Sequence, residues 1–207
     1  KLVRPEVAVL TAIEKSHLEG LKSLKNIADA KSEVLESLDK KGCLIINNDT
    51  NFSQYVKGKA NKLGIQNIIT YGKGSDNNIR LLNFSLSNNK YHVQALCYGK
   101  KISWVMPFLG EHWIHNSLSI LGLAVYFKID FTAILSALSS FEVPQGRGNI
   151  INLRYKDKCF ILIDDSYNSN PASLFASLKS FLKLKVMGKK FLVLGEMLEL
   201  GAASEEI

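Results

Sequence analysis

Residues 42–72 read GCLIINNDTNFSQYVKGKANKLGIQNIITYG, and the order of features in this stretch decides the fold. GCLIINND (42–49) is a short apolar run closed by turn-forming residues, the pattern of a strand. Asp49, Thr50 or Asn51 can then cap a helix that runs to about Leu63. QNIITYG (66–72) is a second strand. Upstream, VAVLTAI (7–13) reads as a buried strand. SLKNIADAKSEVLESL (23–38) reads as a helix, with Leu24, Ile27, Val34, Leu35 and Leu38 on one face. Two β–α–β units in succession predict an α/β fold with a mainly parallel sheet flanked by helices.

Downstream the pattern changes. LLNFSLS, YHVQALCY and KISWVMP, separated by NNK and GKK within residues 79–106, predict a small antiparallel meander. GEHWIHN (110–116) opens a mainly apolar helix to about Phe127, and a second runs from Phe131 to Leu138. FEVPQGRGN (141–149) collects proline, two glycines and polar residues, the composition of a boundary. It divides the chain into 1–143 and 144–207. Beyond it, INLRY and CFILIDD read as strands, PASLFASLKSFLKL as a helix and KKFLVLGEM as another strand, so a second α/β domain begins. The opening KLVRPEVAVL and the ending ASEEI read as the interior of a longer chain.

Of the 207 residues, 46% are hydrophobic and 22% charged, as in soluble globular proteins. The longest apolar run, Leu118–Phe127, is interrupted by Ser119 and is too short to cross a bilayer. Nothing resembles a signal peptide. Cys43, Cys97 and Cys159 have no metal or redox spacing and read as buried thiols in a reducing cytoplasm. The net charge of +7 comes from scattered lysines, unlike the aromatic-interleaved stripe of a nucleic-acid binder. A basic, solvated surface suits anionic substrates.

Four clusters carry chemistry. Asp164 and Asp165 end a strand, where α/β sheets bind ligands, and Asn170–Pro171 supplies an N-cap and first helical residue just beyond. Capping explains the turn but neither the paired acids nor Tyr167. His17 and Lys31 stand on a loop and on the helix after it. GEHWIHN can present backbone N–H groups and polar side chains to an anion or a base. Gly146-Arg147-Gly148 reads equally as a mobile phosphate clamp or a soluble linker. No G-x-x-x-x-G-K-[ST] occurs, since none of the Gly-Lys pairs at 58, 72, 99 and 188 is followed by Ser or Thr. The residues alone support an α/β protein with a nucleotide site between two domains.

Five segments in a fixed order resemble the Mur ligases: SHLEG-x-x-SLKNIADAKSE (16–33), LIINNDT (44–50), GEH…N (110–116), GRG (146–148), and IDDSYNSNPAS with VLGEMLELG (163–173, 193–201). DDSYNSNP is the most specific and is similar to the branch that adds D-alanyl-D-alanine. The resemblance implies a three-domain cytoplasmic enzyme of peptidoglycan synthesis, and hence of cell shape and division. It would use ATP and Mg²⁺ to join UDP-MurNAc-tripeptide to D-Ala-D-Ala through an acyl phosphate, acting as a monomer. Residues 1–143 would be part of the central ATP-binding domain and 144–207 the beginning of a Rossmann-like C-terminal one. The family's P-loop would precede Lys1, so this stretch alone would be inactive.

By position, His17 is similar to a Mg²⁺-ligating histidine and Lys31 to a lysine that becomes carbamoylated, giving an anionic oxygen ligand suited to a hard cation. Asn116 resembles the asparagine near the adenine, with His112 beside it. Arg147 resembles a hinge arginine that reaches the γ-phosphate, and Asp165 the carboxylate on the ribose. Tyr167, Asn168 and Asn170 would line the same crevice. The chain departs from the family at Ala12, Glu14 and Trp113, the last standing where an asparagine is usual. A related ligase with another acceptor and a non-catalytic remnant remain as alternatives.

Overall fold

A computed structural model describes residues 3–14, 21, 23–88, 90–107 and 110–197. Six strands form one sheet in the order of the chain: β1 (Val7–Leu10), β2 (Cys43–Asn47), β3 (Asn67–Gly72), β4 (Ile79–Ser87), β5 (Lys90–Cys97) and β6 (Lys100–Met106). The first three are parallel, with Val7 opposite Cys43 and Cys43 opposite Asn67. The meander is not a separate sheet. β4 joins the parallel half through Tyr71–Ile79 and Gly72–Arg80, and only then does the ladder turn antiparallel. The two-residue link between β5 and β6 places Tyr98 (φ 47°) and Gly99 (φ 81°) both at positive φ, as a type I′ hairpin turn requires.

Among the described residues the helices are α1 (Leu24–Ser32), α2 (Ser53–Lys62), α3 (Glu111–Tyr126), α4 (Phe131–Ser140) and α5 (Pro171–Lys183). β2 shows why the sheet is covered on both faces. Cys43 and Ile45 point into one cluster with Leu118 and Leu121 of α3, while Leu44 and Ile46 point into another with Ile27 and Ala28 of α1 and Val56 and Ala60 of α2. A continuous apolar run is the expected signature of a strand buried on both sides. α3 lies flush on the sheet because Gly122 has no side chain: a Cβ there would stand 2.9 Å from Ile45 Cγ2. In the antiparallel half only one face is buried, and Tyr91, Val93, Ala95 and Cys97 alternate inward along β5.

β7 (Asn149–Tyr155) and β8 (Lys158–Asp164) form a two-stranded antiparallel hairpin, and α5 follows. α5 rests against α3, where Lys183 Nζ donates to Glu111 Oε1 at 2.6 Å. Ile163 and Leu184 pack onto the larger core cluster. Among the described residues no helix is long and apolar enough to cross a membrane.

Several expectations are corrected. The helix expected over 23–38 is α-helical only to Ser32 and continues as a 3-10 turn from Glu33 to Glu36, leaving Val34 exposed. None of Asp49, Thr50 and Asn51 caps α2 through its side chain, and the cap position is Phe52. The strand expected over 189–197 does not form. Phe191 and Val193 are 79% and 94% exposed, and no strand lies beside them among the described residues. A strand without a neighbour leaves its backbone groups unpaired, which removes its stabilisation. Cys43 and Cys97 are buried as expected, but Cys159 is exposed on β8.

Candidate functional site

The carboxyl ends of β1, β2 and β3 share one edge, and polar groups link them in sequence. At the end of β1, Lys31 Nζ donates to the Ala12 carbonyl at 2.9 Å and borders an open cleft of about 280 Å³ with Leu10 and Thr11. Asn47, which ends β2, donates from Nδ2 to the Thr11 carbonyl at 3.1 Å and accepts the Asp49 N–H at 3.0 Å. The Asp49 carboxylate then takes the Lys73 N–H at 2.9 and 3.0 Å. That contact requires glycine at position 72, where a Cβ would lie 2.4 Å from Asp49 Oδ1.

α3 delivers the next groups from its first turns. His115 Nδ1 stands 4.0 Å from Asp49 Oδ2. Burial lowers the His115 pKa and the Lys73 charge adds to this, with Asp49 and Glu111 opposing. His112 is also lowered by burial, with Asp165 opposing and Arg147 reinforcing. Both imidazoles therefore favour the neutral form. Trp113 tilts against His112 at 5.1 Å and against Phe141 at 6.1 Å, so the departure from asparagine places an indole between α3 and the start of the 141–149 segment.

The remaining groups come from the glycine-flanked arginine and the turn after β8. Tyr167 N–H donates to the Gly146 carbonyl at 3.0 Å, and Gly148 N–H donates to the Asp164 carbonyl at 2.8 Å. Gly146 and Gly148 have φ of 74° and 90°, a region that a side chain at Cβ disfavours. The Arg147 guanidinium is centred 4.2 Å over the Tyr167 ring. Asp165 Oδ2 accepts the Ser177 hydroxyl, which ties the turn to α5. Asn170 caps α5 as expected: its Oδ1 accepts the Ser173 N–H at 2.9 Å, and Ser173 Oγ accepts the Asn170 N–H in return.

The structure thus gathers His112, Arg147, Asp165 and Tyr167 where α3 meets the 146–167 segments. Asn116 lies one turn further along α3. Asn168 is exposed, and the Asn170 side chain is committed to its cap. Lys31 stands apart, at the β1 end of the same edge. His17 lies outside the described residues. Sequence reasoning took Asn47 and Asp49 as part of the LIINNDT segment, Asp49 also as a candidate cap, and His115 as part of GEHWIHN. It did not foresee the contacts that join Asn47, Asp49, Lys73 and His115. The signal was present in Asn47-Asn48-Asp49, a polar cluster closing an apolar strand as Asp164-Asp165 does.

The family model described as Mur ligase middle domain matches residues 1–124. The UDP-N-acetylmuramoyl-tripeptide–D-alanyl-D-alanine ligase of Rickettsia prowazekii (strain Madrid E) is 30% identical over 207 residues, covering 100% of this chain and 45% of the relative. The ligase of that name from Bacillus subtilis (strain 168) is 33% identical over 205 residues, 99% of this chain and 42% of the relative. Among solved structures, MurF from Acinetobacter baumannii superposes with a TM-score of 0.85 at 25% identity, over 98% of this chain and 42% of that one. MurF from Thermotoga maritima, in complex with ADP, has the same fold, with a TM-score of 0.80 at 22% identity over 98% of this chain and 44% of that one. The chain spans about half the length of the curated relatives it matches.

Proposed function

The chain belongs to the Mur ligase family, and from that premise we propose that the full-length protein is an ATP-dependent ligase joining UDP-MurNAc-tripeptide to D-alanyl-D-alanine. The observation that carries this reading is the Arg147–Tyr167 stack, with Arg147 and Asp165 both within electrostatic reach of His112. It offers a cation for phosphate, a carboxylate for ribose hydroxyls and apolar faces for a base, which is the donor set a nucleotide requires. Residues 1–143 are read as part of the ATP-binding central domain and 144–207 as the beginning of a Rossmann-like C-terminal domain. The reaction belongs in the cytoplasm, as a step of peptidoglycan precursor synthesis by a monomer.

In the reaction the tripeptide's terminal carboxylate attacks the γ-phosphorus and ADP leaves. The D-Ala-D-Ala amine then attacks the acyl carbon, the peptide bond forms and phosphate departs. Arg147 holds the phosphate charge, Asp165 and Asn116 orient the nucleoside, and His112 stays neutral beside them. Such transfers depend on position and charge neutralisation. Mg²⁺, when bound, supplies further neutralisation of the phosphates. Its fit rests on Lys31, whose Nζ lies at an oxygen-bearing strand end. Among the described residues no group of three or more His, Cys, Asp or Glu could hold a metal ion. A carbamate on Lys31 would be the anionic oxygen donor, and the family resemblance assigns a second ligand to His17.

The test is Lys31→Ala in the full-length protein, assayed for phosphate release with both substrates. Turnover falls at least about a hundredfold, bicarbonate does not restore it, and short carboxylic acids restore part. Wild-type turnover in the variant refutes the role of Lys31. Absence of ATP-dependent ligation by the wild-type protein refutes the ligase reading.

A further inference from the structure

The role proposed for Lys31 raises the question of what fixes the helix that carries it. α1 is nine residues long, and its inner face contributes Ile27 and Ala28 to the core. Its outer face carries Asp29, which receives three donors. Lys25 Nζ donates to Oδ2 at 2.9 Å, and Oδ1 accepts both the Tyr55 hydroxyl, at 2.5 Å, and the Lys59 ammonium. Tyr55 and Lys59 belong to α2, so one carboxylate joins two helices. The Lys25 and Lys59 ammonium groups also lie 5.3 and 5.0 Å from the Tyr55 ring centroid, and Phe52 meets that ring edge-on at 6.3 Å.

Residues two apart on a helix point to nearly opposite sides. Asp29 therefore holds α1 against α2 while Lys31, on the other side, reaches the Ala12 carbonyl. A partly exposed ion pair contributes little to global stability, but the two donors from α2, Tyr55 and Lys59, restrain rotation of α1 about its axis. With side chains reaching roughly 6 Å from a helix axis, a turn of about 10° moves their ends by about 1 Å. A displacement of that size is enough to cost about a hundredfold in a positioned reaction.

We propose that Asp29 is a positioning residue that, through Tyr55 and Lys59, sets the rotation of α1 and so the place of Lys31 Nζ at the β1 edge. The inference rests on the proposed role of Lys31. Its test compares Asp29→Asn, Asp29→Glu and Lys31→Ala in the full-length protein. In Asp29→Asn, kcat falls about tenfold or more while the KM for each substrate stays within about threefold. The bicarbonate concentration for half-maximal activity rises severalfold, because a displaced lysine holds its carbamate less well. Amide exchange across residues 24–32 accelerates without nucleotide or metal, while that of 43–47 is unchanged. The melting temperature stays within about 2 °C of wild type, and Asp29→Glu recovers most of the kcat.

Wild-type kcat in Asp29→Asn beside an inactive Lys31→Ala overturns the positioning role and leaves the ligase reading standing. Loss of activity with an unmoved bicarbonate midpoint also overturns it, since that is the behaviour of a merely structural residue. Wild-type turnover in Lys31→Ala removes the premise, and the inference with it.

Discussion

Replacing Gly146 by alanine tests the junction most directly. The residue has φ of 74°, where an L-residue with a Cβ is disfavoured by roughly 1–2 kcal/mol. The added methyl would stand 2.9 Å from Tyr167 Cβ, 3.0 Å from its backbone nitrogen and 3.3 Å from its Cα. None of these atoms is the far end of a flexible side chain, so the segment itself must move, and such crowding costs about 1–3 kcal/mol. The two effects together come to about 2–5 kcal/mol. The strain is relieved by parting the Gly146 and Tyr167 segments, at the expense of the Tyr167 N–H to Gly146 carbonyl bond and of the Arg147 stack. If only the lower end of that range falls on nucleotide binding, ATP affinity drops at least about tenfold. Titration calorimetry on the full-length protein measures it. Gly58→Ala is the control: nothing lies within 4 Å of its added methyl, and it sits inside α2. There alanine adds roughly 0.5–1 kcal/mol of stability and leaves ATP affinity unchanged. Affinity within about twofold of wild type in Gly146→Ala would refute the reasoning.

Two further outcomes are expected. Burial lowers the pKa of His112 and His115, whereas unfolded histidines protonate near pH 6.5. The unfolded chain therefore binds more protons as pH falls below that value, and the stability these imidazoles contribute above it is lost on acidification. Urea midpoints measured from about pH 7 to 5 should decline, less steeply in His115→Gln, and equal slopes would contradict the burial of His115. The thiols should separate by exposure. Burial raises Cys43 and Cys97 to about 11, whereas Cys159 is exposed, so a thiol reagent should label Cys159 alone in the native protein and all three after denaturation. Rapid native labelling of Cys43 would refute the packing of β2.

Local chemistry was legible in the order of the residues. The unbroken run Cys43–Ile46 announced a strand, and the structure divides its side chains between two clusters. Asn170 and Pro171 announced the start of α5, because a cap and a pre-set φ act within one turn of chain. The paired acids at the end of β8 and the glycines around Arg147 were visible as motifs, and both lie at the junction described above. What stayed hidden depended on partners far along the chain. Cys159 reads as buried in an apolar run, yet the hairpin leaves it exposed. Residues 189–197 have a strand's composition but no neighbouring strand, and they take no regular form.

The amino-acid sequence by itself determined most of the elements, the Asn170 cap of α5 and the α/β class, because these follow from the period and chemistry of neighbouring residues. Only the tertiary structure decided that β4 joins β3, that Asp49 meets Lys73 and His115, that Asp29 ties α1 to α2, and that Arg147 lies on Tyr167. The spacing of residues along the chain does not encode which strand edge or which donor lies across a gap. Those contacts appear when the two core clusters bury their surface and bring the strand ends together on one edge.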